Sequence, residues 1–265
     1  MLHLELQWIS AAALAATVVA AAYRLRRLSL SGAVAAMILG TMIVGTGGWW
    51  PGIILVAFFV TSSLLSRSDT NQARGAMRDW VQVLANGWGM LLGCLLYAAT
   101  NWEPWLLFGF GAIAAASADT WSSELGRRST SPPRLVTSGK IVTAGTSGAV
   151  SVVGTMASVA GAALVGIIAY IAMASGTLHL NRHAFVVLLG VTLAGMAGGF
   201  VDSLLGATVQ ERRWCDLCNK ATEANPHRCG AQTRQVGGIA RFNNDVVNMI
   251  CVLTGALVAL VSGIL

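Results

Sequence analysis

Eight apolar runs, separated by polar or glycine-rich connections, form the pattern of the chain. A helix needs about 20 mostly apolar residues to cross a hydrocarbon layer roughly 30 Å thick. The uncharged stretch 28–66 is long enough for two crossings, and GTGGWWPG at 45–52 divides it, because Gly and Pro interrupt helices and Trp suits the membrane interface. The pattern predicts spans at about 8–23, 32–47, 51–66, 80–99, 104–118, 148–175, 184–208 and 246–264. The spans 32–47 and 104–118 are short, so each could be tilted, partly re-entrant or wrongly bounded. Eight crossings are therefore expected, with seven or nine as alternatives.

The composition supports a membrane protein. Hydrophobic residues make up 55% of the 265 residues, charged residues 11%, and the mean hydropathy is +0.67. A soluble domain carries about 25% charged residues, so soluble, disordered and fibrous classes are excluded. We therefore predict an all-α, polytopic transmembrane helix bundle that forms one membrane domain over 1–265, with a cytoplasmic loop at 209–245. No signal peptide is evident, so the first span is expected to be retained.

The basic residues predict an orientation. Of the 17 Lys and Arg residues, only Arg182 falls on one side of the predicted bundle, and 16 fall in the alternate connections. Because Lys and Arg near span ends mark the cytoplasmic side, both termini should face outward and the long polar loops should face the cytoplasm, here the inner side of a bacterial plasma membrane. Topology and contact with anionic lipid alone would explain the same charges.

Acidic residues at the cytoplasmic ends of two spans are candidates for function, because ionisable groups at membrane depth are costly. In ASADTWSSELG (116–126), Asp119 shares a helix face with Ser123, and Glu124 follows. Such an oxygen-rich set suits a hard cation such as Mg²⁺, whereas ordinary helix-end capping is the other interpretation. Asp202 has at least seven uncharged residues on each side. We expect it to face the bundle and pair with a cation, a metal or an Arg, unless it merely caps a neighbouring helix.

A third cluster, RFNNDVVN at 241–248, opens the last predicted span. Asn244, Asp245 and Asn248 carry amide and carboxylate oxygens, and Asn248 lies one turn inside the apolar segment. A capping role for Asn243 or Asn244, with Asp245 favourable toward the helix dipole, is the alternative. Four such groups in six residues exceed what a cap requires, so we predict that this cluster joins the other acids.

Positive groups complement these acids. Arg74 and Arg78 are one helical turn apart and can point at one anion, with Asn86 further along the same helix. The planar fork of Arg suits phosphate, although a solvated helix end is the more common place for such residues. Lys140 precedes the glycine-rich GTSG at 145–148, whose backbone amides would be able to approach an anion or would simply form a turn.

The sequence contains none of the common soluble nucleotide or hydrolase motifs. GxxxxGK[ST], GxGxxG, HExxH and GxSxG are all missing from it. Acidic clusters and basic loops on one side nevertheless describe a site for Mg²⁺ and phosphates. Any phosphate chemistry is therefore expected between transmembrane helices, and no nucleic-acid partner is expected.

One loop carries four zinc-type ligands within fifteen residues: Cys215, Cys218, His227 and Cys229. A reducing cytoplasm favours a metal over a disulfide. We therefore predict a candidate Zn²⁺ site, with a structural role favoured over a catalytic one. Cys94 and Cys251 fall inside spans and are interpreted as packing residues.

The motifs together resemble those of an integral membrane family long catalogued as a domain of unknown function, which includes the plant phytyl-phosphate kinase of vitamin E synthesis. The matching stretches are RDWVQVLANG (78–87), ADTWSSELG (118–126), GTSGAVS (145–151), VDSLLGATVQ (201–210), CxxC…TE…HxCG (215–230) and NNDVVN (243–248). The resemblance implies transfer of a phosphoryl group from CTP or another nucleoside triphosphate to an isoprenyl monophosphate, giving the diphosphate.

The leading hypothesis is thus a Mg²⁺-dependent kinase of a phytyl or geranylgeranyl phosphate type of lipid. Asp119, Glu124, Asp202 and Asp245 are the expected metal-side residues. Phosphate-side residues are expected to be Arg74, Arg78, Asn86, Ser123, Lys140, Asn244 and Asn248. The alternatives are a kinase of a prenyl alcohol and a transporter or flippase for polyprenyl phosphate; a structural subunit leaves Asp202 without a purpose.

Overall fold

The computed structural model describes residues 2–66, 77–222, 225–227 and 229–264. This part of the chain forms eight α-helices and five short strands. The helices are α1 (Leu2–Arg24), α2 (Leu30–Gly47), α3 (Trp49–Leu65), α4 (Trp80–Thr100), α5 (Pro104–Gly126), α6 (Val152–Ala174), α7 (Ala184–Thr208) and α8 (Asn244–Ile264). The strands are β1 (Arg134–Leu135), β2 (Ala149–Val150), β3 (Arg212–Cys215), β4 (Lys220–Thr222) and β5 (Arg234–Gly237).

Helix α5 is the central helix of the bundle. All thirteen residues from Leu106 to Ala118 are buried, so every face of this part of the helix is covered by protein. Helices α3, α4, α6, α7 and α8 all pack against it. A helix that is apolar and buried all round has no lipid-facing or water-facing side, which is the property of a core helix.

Small residues bring the backbones of α5, α7 and α8 close together. A Cβ atom on Gly255 of α8 would lie 2.5 Å from the Gly111 carbonyl oxygen of α5 and 2.6 Å from the Ala115 Cβ. A Cβ on Gly198 of α7 would lie 2.4 Å from the same Ala115 Cβ. Such contacts are too short for any side chain, so glycine alone permits this packing. Close packing of this kind replaces the hydrophobic drive that is missing between helices in lipid.

The connections that follow α1, α3, α5 and α7 meet at one end of the bundle, called here the loop-rich end. The Arg78 amide donates to the Arg27 carbonyl at 2.9 Å and joins the first two of these connections. The Ser147 hydroxyl donates to Gln210 Oε1 at 2.5 Å and joins the last two. At the opposite end, Trp50 Nε1 donates to Thr177 Oγ1 at 3.1 Å, and Arg182 donates to the Gly263 carbonyl at 2.9 Å.

Six described helices are long and apolar enough to cross a membrane: α1, α2, α4, α6, α7 and α8. Helix α3 is apolar but has 17 residues. Helix α5 has 23 residues and is polar over its last two turns. The eight predicted segments all form helices, and the polytopic all-α fold is confirmed.

Several predicted bounds differ from the helices: the spans predicted to begin at 8 and 148 begin at Leu2 and Val152. Two further differences, at the ends of α5 and α8 in the loop-rich end, have a clear physical reason. The span predicted at 104–118 continues as a helix to Gly126, because its polar residues pack against other helices. The span predicted to begin at 246 begins at Asn244, because the Asn243 side chain accepts hydrogen bonds from the Asp245 and Val246 amides, both at 3.1 Å. Asn244 and Asp245 therefore belong to α8, and the loop that precedes it ends at residue 243.

The strands lie in the long connections. Strands β1 and β2 pair antiparallel within the connection between α5 and α6. Strands β3, β4 and β5 form an antiparallel sheet in the order β4-β3-β5 within the connection between α7 and α8. Each strand has four residues or fewer, so these sheets shape the connections and add no further domain.

We expect Gly255→Ala to lower the melting temperature in detergent, because the new methyl group would meet the Gly111 carbonyl. Overpacking of this kind costs about 1–3 kcal/mol. Gly40→Ala is the matched control, since its Cβ would meet only the Ala15 Cβ at 3.6 Å, an ordinary contact. Thermal unfolding of both variants checks the packing; equal melting temperatures would contradict it.

Candidate functional site

Two carboxyl groups from remote parts of the chain meet at the loop-rich end. Asp119 lies in the last two turns of α5, and Asp202 lies one turn after Gly198 and Gly199 in α7. Their side chains share a hydrogen bond. The approach depends on Gly198, one turn before Asp202, because a Cβ there would lie 2.4 Å from the Ala115 Cβ of α5. This acidic pair is the centre of the candidate site. Two adjacent carboxylates repel each other unless a proton or a cation lies between them.

Glu124 and Ser123 extend the acidic pair along the last turn of α5. The Ser123 hydroxyl hydrogen-bonds to the Asp119 carboxyl group, and Glu124 lies within electrostatic range of it. Glu124 Oε1 accepts from the Ser66 hydroxyl at 3.0 Å and forms an ion pair with Arg127 at 3.0 Å. Ser66 and Arg127 did not stand out in the sequence as site residues. The spacing of Glu124 and Arg127 was the available clue for that pair; nothing in the sequence indicated Ser66.

The start of α8 presents its amides on the face of the helix that packs into the bundle. The Cys251 thiol donates to the Ala115 carbonyl at 3.7 Å and lies within electrostatic range of both members of the acidic pair. Asn248 and Asn244 come three and seven residues earlier, so they share this face of α8. Asp245 is half-buried in the same turn.

Gln210 connects three elements beside the site. It is 4% exposed, accepts from the Ser147 hydroxyl at 2.5 Å and donates to Asn244 Oδ1 at 3.4 Å. The GTSG segment thus packs against the end of α7, where a Cβ on Gly148 would lie 2.2 Å from the Ala207 nitrogen. Gln210 is the last residue of the motif VDSLLGATVQ, but nothing in the sequence indicated that its side chain would contact Ser147 and Asn244.

Of the two predicted phosphate-side cations that the structure describes, Arg78 and Lys140, Arg78 is the one that interacts with these acids. Its guanidinium group lies 5.9 and 5.5 Å from the centres of the Phe58 and Phe59 rings, and the charge of Glu124 acts on it. Burial lowers the pKa of Arg78 to about 10, against the opposing effect of Glu124, so the group stays protonated at neutral pH. Two rings and a carboxylate therefore hold one charged guanidinium group at the loop-rich end.

Arg78 also closes one end of a cleft between α1, α2, α3 and α4, called here the apolar cleft. Its walls are aliphatic and aromatic side chains, among them Leu14, Val18, Leu39, Leu55 and Phe59. The polar lining groups are Arg78, Gln82 and Asn86. Asn86 Nδ2 donates to the Gln82 carbonyl at 2.8 Å. The cleft has the shape and polarity of a site for a chain with one polar end.

Lys140 and Arg74 are placed differently from the other predicted phosphate ligands. Lys140 is exposed in the connection between β1 and β2, where its carbonyl accepts from the Leu135 amide at 2.9 Å. Arg74 lies outside the described residues. The structure therefore groups Asp119, Ser123, Glu124, Asp202 and Arg78, with Asn86 in the adjoining cleft.

The four predicted zinc ligands, called here the Cys/His cluster, come together outside the bundle. One ligand atom from each of Cys215, Cys218, His227 and Cys229 lies within 4.8 Å of every other. The hydrogen bond with His227 lowers the pKa of the Cys229 thiol to about 6. The cluster lies in the sheet that follows α7, separate from the acidic pair on the helices.

Comparison with known proteins places this architecture among membrane proteins. The profile of the family described as "Integral membrane protein DUF92" matches residues 13–256. Protein PGR of Arabidopsis thaliana is 32% identical over 256 residues, covering 87% of each chain. Uncharacterized membrane protein MJ0933 of Methanocaldococcus jannaschii is 32% identical over 239 residues, covering 88% of this chain and 84% of its own.

A more distant relative belongs to the same comparison. Protein VTE6, chloroplastic, of Arabidopsis thaliana is 26% identical over 249 residues, covering 88% of this chain and 64% of its own. No solved structure is similar to the chain. The family profile, which matches residues 13–256, includes all or part of each of the eight helices. The similarity therefore concerns the helix bundle as a whole and not a single motif.

We expect Gln210→Ala to lower the melting temperature in detergent, because it leaves Ser147 and Asn244 without their common partner. Loss of a buried hydrogen-bond partner costs about 1–3 kcal/mol. The matched control is Gln235→Ala, since the exposed Gln235 side chain donates only to the Gly238 carbonyl. Its effect should stay within about 0.5 kcal/mol. Equal destabilisation by both variants would contradict the role given to Gln210.

Proposed function

Since the chain belongs to the integral membrane family DUF92, we propose that it is a prenyl-phosphate kinase. It transfers a phosphoryl group from a nucleoside triphosphate, CTP by preference, to a phytyl or geranylgeranyl phosphate type of lipid. The observation that carries the proposal is the acidic pair, Asp119 with Asp202, at the same end of the bundle as Arg78 and the apolar cleft. The sequence motifs resemble those of a family that includes a phytyl-phosphate kinase, and this resemblance supports the same reaction.

The acidic pair fits a hard divalent cation. Asp119, Asp202, Ser123 and Glu124 offer carboxylate and hydroxyl oxygens within one turn and a neighbouring helix, and Mg²⁺ prefers oxygen ligands. A cation between the two carboxylates would relieve the repulsion that their proximity creates. Bound there, Mg²⁺ would offset the negative charge of the nucleotide phosphates. Asp119 and Asp202 are therefore the residues proposed to hold it.

The apolar cleft and Arg78 fit the lipid phosphate. An isoprenoid chain would occupy the cleft between α1, α2, α3 and α4, and its phosphate would meet Arg78 at the polar end. A guanidinium group donates two parallel hydrogen bonds to phosphate, and the rings of Phe58 and Phe59 hold it in position. The cytoplasmic orientation that the basic loops predict would supply the nucleotide from the same side.

The side chains at the site suit a monophosphate acceptor. A phosphate monoester has a second pKa near 6, so most of it is already an oxyanion at neutral pH. Its oxygen attacks the γ-phosphorus, the bond from that phosphorus to the bridging oxygen breaks, and the nucleoside diphosphate leaves with the electron pair. This transfer needs alignment and charge compensation, and no proton has to be removed. None of the four histidines belongs to the site. His3 at the start of α1 and His179 and His183 before α7 lie at the opposite end, and His227 lies in the Cys/His cluster, so none supplies a base here.

Transfer of labelled phosphate from CTP to phytyl or geranylgeranyl phosphate, with Mg²⁺ and purified protein in detergent, tests the proposal. We expect the diphosphate product, and we expect Asp119→Asn and Asp202→Asn each to lower kcat by about 10²–10³-fold, because each removes a charge that positions the phosphates. Phytol and geranylgeraniol serve as comparison acceptors and should be poor substrates.

Asp216→Asn is the matched control, because Asp216 is exposed and pairs with Arg234 at 3.0 Å. Its turnover should equal that of the wild type. Full turnover by both acidic-pair variants would remove the proposed site. If the wild-type protein phosphorylates only the alcohols, the acceptor is a prenyl alcohol and not a prenyl phosphate. If it consumes no nucleotide, the proposal that it is a kinase is wrong.

A second test separates lipid binding from catalysis. Arg78→Lys keeps the charge but loses the planar fork, so we expect the KM for the prenyl phosphate to rise about tenfold, the equivalent of one charge-assisted hydrogen bond, with the KM for CTP unchanged. Arg234→Lys, at an exposed ion pair, is the control and should change neither constant. A rise confined to the KM for CTP would assign Arg78 to the nucleotide instead.

A further inference from the structure

The described residues of the connection between α7 and α8 form almost no hydrophobic core of their own. Those that are buried are Gln210, Cys215, Thr222 and Thr233. Three of its aliphatic side chains point outward, with Leu217 72% exposed, Ile239 58% and Val236 47%, whereas Trp214 and Phe242 are half-buried. A segment that buries so little apolar surface is held by some other cross-link, as small domains are held by disulfides or metals.

We propose that the Cys/His cluster binds one Zn²⁺ ion and that this ion is the cross-link. The Sγ atoms of Cys215 and Cys229 are 3.6 Å apart. Four ligands at Zn–S distances of about 2.3 Å in a tetrahedron place their sulfur atoms about 3.8 Å apart. A disulfide requires about 2.05 Å, so the separation matches two ligands of one metal and not a covalent bond.

The backbone positions the four ligands from two places in the chain. Cys215 ends β3 and Cys218 lies in the turn before β4, where the CDLC spacing brings both thiols to one side of the hairpin. His227 and Cys229 come from the next turn, closed by hydrogen bonds from the Gly230 amide to the His227 carbonyl at 2.8 Å and from the His227 amide to the Ala231 carbonyl at 2.9 Å. His227 Nδ1 lies 3.1 Å from Cys229 Sγ, so this ring nitrogen is the one that faces the other ligands.

Four protein ligands complete the tetrahedral preference of zinc and leave no position for water or substrate. Closed sites of this kind are structural, whereas catalytic zinc sites keep an open position. The site is also distinct from the acidic pair in donor chemistry, since soft thiolates select Zn²⁺ and carboxylates select Mg²⁺. The cluster therefore supplies folding free energy to the loop and takes no part in phosphoryl transfer.

The ends of this loop are attached to the helices that carry the candidate site. The Ile239 amide donates to the Val209 carbonyl at 2.9 Å, and the Glu211 amide donates to the Phe242 carbonyl at 2.8 Å. The Glu211 side chain accepts from Arg213 at 2.5 Å and from the Arg241 amide at 2.9 Å. The zinc-bound sheet thus continues into the end of α7, after Asp202, and the start of α8, before Asn244. Zinc would fix the spacing of these two helix ends.

Metal analysis of the purified, reduced protein tests this proposal without reference to activity. We expect one Zn per chain in the wild type, about one in the Cys94→Ala and Cys251→Ser controls, and a loss of at least tenfold in Cys218→Ser. Replacement by Co²⁺ should give thiolate-to-cobalt charge-transfer bands and the visible absorption of a tetrahedral site. Wild-type protein that contains no Zn and takes up no Co²⁺ would overturn the proposal, as would a disulfide between Cys215 and Cys218 in protein purified without reductant.

Limited proteolysis of the wild type tests the structural role and does not depend on the folding of any variant. A zinc chelator should make residues 211–242 at least tenfold more sensitive to cleavage while the helices stay intact. Added Zn²⁺ should restore resistance, and Mg²⁺ should not. Cleavage that is unchanged by removal of the metal would show that zinc is not the cross-link.

Discussion

The close approach of helix backbones around α5 is the constraint on which the rest of the structure depends. Glycines on α7 and α8 lie against α5 where no Cβ would fit, and the same contacts place Asp202 next to Asp119. Between helices that are equally apolar, such packing is the main source of association in lipid. The close packing of these helices therefore offsets the free-energy cost of bringing two acids together, and a bound cation would reduce that cost further.

In the proposed reaction, two different groups of helices bind the lipid and the nucleotide. The first four form an apolar cleft with one charged end, suited to an isoprenoid chain. The last four, arranged around α5, carry the acids and the amides of α8. The contacts of Glu124 with Ser66 of the first group and Arg127 of the second connect the two at the loop-rich end. Lipid and nucleotide would thus meet where these groups join.

Much of this architecture is predictable from the sequence, and the failures have physical reasons. Hydrophobic length gives all eight helices, because the bilayer sets their dimensions. The burial of Asp202 follows from its uncharged surroundings. The end of α5 was misplaced because hydropathy measures polarity and not packing, and polar residues up to Glu124 stay helical where protein covers them. Gln210 is 63 residues from Ser147 and 34 from Asn244, and Ser66 is 58 residues from Glu124, so no local pattern encodes these contacts. Whether Asp245 joins the acids stays a prediction.

Arg182 is the exception to the charge asymmetry, and its contacts show why it is tolerated. From the connection before α7 it donates to the carbonyls of Gly263 and Ile264, at 2.9 and 2.8 Å. These carbonyl groups have no hydrogen-bond partner within the helix, because they lie at the end of α8. A positive charge at this position also interacts favourably with the negative end of the helix dipole. The guanidinium group is thus engaged by a helix terminus. Among the described residues, no other Lys or Arg lies at the end of the bundle opposite the loop-rich end, so phosphorylated compounds would be attracted to the loop-rich end.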